Sequence, residues 1–149
     1  MSTIVYDTLE TELTQEIVIG NHQGLYSPII KPWLYCLNNP TGTFTLGIYK
    51  DNNLLAEKSF TVSDLYTQLG ATGNSCHLFF NVEFRGIKIP FGFYVLKLKS
   101  TGYTYSKSSF LAWVKDWESA LNYNPDLESV EWTQYPLSVK IISLTTREV

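Results

Sequence analysis

Apolar and polar residues alternate with a period of two in segment after segment of this chain, and that period belongs to a strand with one buried face. Phe44, Leu46 and Ile48 share one side of residues 42–50, with Thr43, Thr45 and Tyr49 on the other. Asp51, Asn52 and Asn53 follow, residue types that tolerate left-handed turn geometry, and the pattern resumes with Leu54, Ala56 and Phe60 expected on one side, so this stretch reads as a hairpin. Leu78, Phe80, Val82 and Phe84 continue the theme, as do Tyr94, Leu96 and Leu98 with Lys97 and Lys99 pointing the other way. Ile17 with Ile19, Trp33 with Tyr35 and Leu37, and Leu137 with Val139 and Ile141 mark further strands. Roughly seven to nine strands of this half-buried kind predict an all-β, antiparallel β-sandwich of jelly-roll-like form.

One helix interrupts the pattern. It is expected to start at Ser63, which can cap the backbone amides of the stretch 62–69, and to stop at Gly70. Pro28, Pro32, Pro40 and Pro90 are expected at strand ends, where a missing amide hydrogen breaks no central ladder. The chain has 149 residues, of which 44% are hydrophobic and 15% aromatic, enough to bury the core of one domain spanning 1–149 without a metal or a disulfide framework. Cys36 and Cys76 are far apart in sequence and read as two free, buried thiols, in keeping with synthesis in a reducing cytoplasm.

Charge removes several classes of function. The formal net charge is −3 with no basic block, so the footprint that phosphate-backbone binding requires is missing and nucleic acid is not an expected partner. Residues 1–12 carry Asp7, Glu10 and Glu12 rather than a basic segment followed by an apolar one, and no apolar run reaches membrane-spanning length. The expectation is a chain neither exported by a standard signal nor associated with a membrane.

Catalytic and cofactor chemistry find little footing. His22 and His77 stand at metal spacing from neither another His nor a Cys pair, and adjacent strand residues such as Cys76 and His77 point to opposite faces, which leaves a core thiol and a surface imidazole. Ser108 and Ser109 read as ordinary strand residues outside any nucleophile motif. Asp116 and Glu118 would share a face in an extended segment, yet read as solvated charges. Gly86, Gly92 and Gly102 are spaced as turn residues, not as a phosphate cradle. No catalytic residue, metal or cofactor is expected, and the chain is not expected to be an enzyme.

What remains is aromatic. Trp113, Trp117 and Trp132, with Tyr103, Tyr105, Tyr123 and Tyr135, concentrate in the last third of the chain, and flat rings of this kind either stack on sugars or anchor protein interfaces. Trp113 lies in the continuous apolar run from Phe110 to Val114 and is assigned to the core. Trp117, Trp132, Tyr103, Tyr105 and Tyr123 are the candidate binding residues, most of them near the long connection within residues 101–136.

The succession Phe44-Thr-Leu-Gly-Ile-Tyr-Lys-Asp-Asn-Asn-Leu-Leu-Ala-Glu, Ser59-Phe60-Thr61 with Ser63-Asp64-Leu65, Phe79-Phe80-Asn-Val-Glu-Phe84, Gly92-Phe-Tyr-Val-Leu-Lys-Leu98 and Ser100-Thr-Gly102 resembles a jelly-roll module. Modules of this kind occur in bacteriophage virion and tail-associated proteins and in carbohydrate-binding modules, and the resemblance covers about residues 43–113. It implies a non-enzymatic virion subunit, such as a capsid decoration or tail-associated protein, made in the host cytoplasm and assembling with copies of itself or with other virion structural proteins. The alternative it implies is a carbohydrate-binding module that stacks a glycan on surface aromatics such as Trp117 and Trp132.

Overall fold

The computed structural model describes residues 5–115 and 137–145, with side chains described for 6–115 and 137–142. Two antiparallel sheets face each other across one hydrophobic core. The first is built on β3 (Leu25–Leu37), a 13-residue strand. On one edge of β3 lie β10 (Phe110–Lys115) and β11 (Val139–Thr145), end to end, with β1 (Val5–Thr8) outside β10. On its other edge lie β6 (Ser75–Phe79), β7 (Val82–Glu83) and β8 (Lys88–Ile89), again end to end. The second sheet runs β2 (Glu12–Ile19), β9 (Gly92–Thr101), β4 (Thr43–Lys50), β5 (Asn53–Phe60).

Among the described residues eleven strands therefore fill eight positions, four in each sheet. Between successive strand positions the chain crosses from sheet to sheet each time except at the β4–β5 hairpin, and this is the winding of a jelly roll. The prolines explain why one flank of β3 is broken. Pro28 and Pro32 lie inside β3, not at its ends. Their carbonyls accept from the amides of Phe84 and Phe80, both at 2.9 Å, so their missing N–H groups would have pointed to that same edge. The gaps between β6, β7 and β8 fall where those donors are lacking.

The alternation read from the sequence is realised in the core. Phe44, Leu46, Leu96, Leu98, Leu34 and Val139 are fully buried, and Ile17, Ile48, Phe84 and Ile141 are nearly so. Trp113 is fully buried, and its Nε1 donates to the Ser138 carbonyl at 2.7 Å.

The hairpin turns on Asp51 and Asn52, both with positive φ (51° and 68°), between the paired residues Lys50 and Asn53. This is the two-residue primed turn, whose twist matches that of the flanking strands. One expectation fails here. The β4–β5 register shifts between Ile48 and Tyr49, so Ala56 faces Ile48 while Leu54 faces Tyr49, and Leu55 is the extra residue. The bulge rotates Leu54 to the outer side, where it is 46% exposed.

Two more expectations are corrected. Helix α1 (Val62–Leu69) is capped by Thr61, not Ser63: the Asp64 carboxylate accepts from the Thr61 backbone N–H at 2.8 Å and from its hydroxyl at 3.3 Å. Val62 is buried against the core and so draws the helix start one residue back. Gly70 ends the helix as expected, at φ 74°. Ser108 and Ser109 belong to a tight turn closed by Ser106 and Ser109, whose backbones exchange bonds of 3.1 Å, rather than to a strand.

Candidate binding surface

A jelly roll presents two outer faces, and here they differ chemically. Along β3 the even-numbered residues Leu34 and Cys36 enter the core, so Trp33, Tyr35 and Leu37 point outward. Register places His77 opposite Tyr35 and Phe79 opposite Trp33 on β6, and Phe110 opposite Leu37 on β10. Tyr6 on β1 lies across from Val114. None of these residues was singled out for binding by sequence reasoning, because they come from four strands and meet only through strand pairing.

Together they form a layer of rings. Tyr6 lies 5.3 Å from Tyr35 and 5.7 Å from Phe110, and Tyr35 meets Phe110 edge-on at 5.8 Å. Trp33 stacks on Phe79 at 5.2 Å and 27°, with His77 6.3 Å away. Lys140 places its Nζ 4.3 Å from the Phe79 centroid. Tyr6 and His77 are exposed, while Trp33, Tyr35 and Phe79 are half-buried and leave ring surface to solvent. Aromatic residues that keep one side wet offer a large contact area at small cost in side-chain entropy.

The opposite outer face is polar and internally satisfied. Tyr49 lies flat over Gly47, where an added Cβ would meet its Cε1 at 2.8 Å, and Lys97 and Lys99 cover its ring at 4.5 and 5.2 Å. Thr45 and Ser59 share a hydroxyl bond of 2.9 Å, and Lys99 pairs with Glu12 at 3.8 Å. Only its far end is apolar: Phe93 is 73% exposed, and Phe91 stacks on His22 at 4.9 Å. A cleft of about 510 Å³ opens beside α1, lined by Lys58, Asp64, Glu83 and Arg85 among others. The Gln68 side-chain amide on its wall is consumed by the backbone of Asn81, with both bonds at 2.8 Å.

The residues proposed from the sequence separate into three groups. Trp117, Trp132 and Tyr123, like Asp116 and Glu118, lie outside the described residues. Tyr105 joins the aromatic layer, half-buried with its ring 6.0 Å from Phe110. Tyr103 is a scaffold residue by its contacts. Its hydroxyl donates to the Leu9 carbonyl at 2.7 Å and accepts from the Leu111 amide at 3.2 Å, and its ring meets Phe44 edge-on at 5.1 Å. Burial raises its pKa. Among the described residues no three His, Cys, Asp or Glu side chains gather closely enough to hold a metal ion.

No family model and no curated protein matches this sequence. Among solved structures, the chain is similar to TmCBM61 in complex with beta-1,4-galactotriose, a carbohydrate-binding module, at 12% identity and a TM-score of 0.41, over 94% of this chain and 70% of that one. It is also similar to dimeric latent PorU from Porphyromonas gingivalis, at 9% identity and a TM-score of 0.35, over 72% of this chain and 10% of that one. Likenesses this distant do not bear on what the chain does.

Proposed function

We propose that this chain is a non-enzymatic binding and assembly subunit, and that its partner is another protein docked on the aromatic outer face of the β3 sheet. The observation that carries this reading is the ring layer itself. Tyr, Trp and Phe concentrated on one face with few charges is the composition of the core of a protein interface, whose energy comes from a few aromatic anchors. The resemblance of residues 43–113 to bacteriophage jelly-roll modules supports a place in the virion, as a capsid decoration or tail-associated protein, with homo-oligomers or larger assemblies as its working state.

The test uses the purified particle. Mass spectrometry should find the chain in stoichiometric amounts, and a Trp33→Ser, Tyr35→Ser variant that folds normally should be missing from particles made in its presence. A wild-type chain that stays monomeric in sedimentation and never enters particles overturns the reading.

A second reading rests on one contact. The stacked Trp33–Phe79 pair is half-buried and leaves ring surface to solvent, the kind of surface on which a pyranose ring stacks. Binding on a glycan array that disappears in Trp33→Ala, with assembly unaffected, would favour a carbohydrate-binding role.

A further inference from the structure

Cys36 and Cys76 are the only cysteines in the chain, and strand pairing sets them directly opposite each other on β3 and β6. Both are free and buried on the inner face, at 0% and 6% exposure. Their class of pairing follows from the ladder. Asn38 donates its amide to the Asn74 carbonyl at 2.6 Å and Phe80 donates to the Pro32 carbonyl at 2.9 Å. Hydrogen-bonded pairs recur at every second residue, so Cys36 and Cys76 occupy a hydrogen-bonded position, where Cα atoms stand about 5.5 Å apart. That separation lies inside the range a disulfide spans.

We propose that Cys36 and Cys76 are a reversible dithiol–disulfide pair, able to close into an intramolecular disulfide that staples β6 to β3. The inference is independent of the binding surface, since the sulfurs lie on the inner side of the sheet and the rings on the outer. Cys76 reacts first: it is on the flanking strand, it retains some exposure, and the neighbouring Tyr66 and Cys36 offset part of the pKa rise caused by its burial, whereas burial pushes Cys36 up to about 12. With oxidised glutathione as oxidant, the Cys76 thiolate attacks one glutathione sulfur, forming a mixed disulfide and releasing one glutathione thiolate. Cys36 then gives up its proton, and its thiolate attacks the Cys76 sulfur and expels the second glutathione. Two protein S–H bonds are replaced by one S–S bond, and one glutathione disulfide is reduced to two thiols.

The experiment treats the native full chain with oxidised glutathione, followed by alkylation and intact mass. The expected product has lost two hydrogens, carries no glutathione, resists alkylation until reduced, and melts roughly 10 °C higher, because the bond closes a loop of about 40 residues. In Cys36→Ser the reaction should stop at a single glutathione adduct on Cys76. The proposal is overturned if both wild-type thiols remain alkylatable, if glutathione adducts persist on the wild-type chain, or if the only disulfides formed join separate chains.

Discussion

Tyr103→Phe removes a single oxygen, and the structure gives that oxygen an unusual place. The β1–β10 ladder pairs Thr8 with Ala112, and the next rung would join Leu9 and Leu111. Half of that rung is made, with the Leu9 amide donating to the Leu111 carbonyl at 2.7 Å. The other half is relayed: the Leu111 amide donates to the Tyr103 hydroxyl, which donates in turn to the Leu9 carbonyl. Leu9 and Leu111 are fully buried, so phenylalanine would leave one donor and one acceptor in the interior with neither water nor a partner. An orphaned buried polar group costs about 1–3 kcal/mol, so the pair should cost roughly 2–4 kcal/mol after local relaxation. For a chain of this size that corresponds to a fall in Tm of roughly 5–12 °C. Urea unfolding followed by near-UV circular dichroism measures it. A loss below about 0.5 kcal/mol would refute the relay.

Three other outcomes are expected. Ser138 is fully buried and its hydroxyl has no hydrogen-bond partner among the described residues, so Ser138→Ala should raise stability by about 1 kcal/mol in the same urea assay. Cys36, Cys76, Tyr94 and Tyr103 all have pKa values raised by burial; the folded chain therefore keeps protons that the unfolded chain releases, and stability present below the ordinary thiol pKa of 9.0 should be lost as pH rises towards 12, as unfolding midpoints over that window would show. Lys115 and Leu137 form an antiparallel bridge and the Ser138 amide donates to the Val114 carbonyl at 2.6 Å, so a four-residue linker in place of residues 116–136 can span the gap; that variant should unfold cooperatively, and loss of cooperative unfolding would contradict this.

The inner face of this jelly roll was legible because burial leaves a period. Each of the triplets Phe44-Leu46-Ile48, Tyr94-Leu96-Leu98 and Leu137-Val139-Ile141 faces the core as its spacing predicts. Leu54 was misplaced because a bulge adds one residue without changing composition, and Pro28 and Pro32 because a proline is compatible with a long strand whose neighbour is interrupted. The aromatic layer was harder to find. Tyr35 and His77 touch the same patch from distant parts of the sequence, and only register brings them together. A signal did exist: residues 32–37 are apolar on both faces, as are Phe110 to Val114, and a strand hydrophobic on both faces needs cover on both.

That doubly apolar character also separates fold from function along a single strand. On β3, Leu34 and Cys36 hold the core, while Trp33 and Tyr35, one residue away in each case, hold the outer ring layer. Shortening Trp33 or Tyr35 removes half-buried outer surface and leaves the core packing untouched, whereas shortening Leu34 opens a cavity in it. Loss of assembly in an outer-face variant that unfolds like wild type can therefore be assigned to the surface. The β6 residues obey the same division, with Cys76 inward and His77 outward. A disulfide between Cys36 and Cys76 would fix the register of the strands that carry Trp33, Tyr35, His77 and Phe79, so oxidation should stiffen the ring layer without entering it.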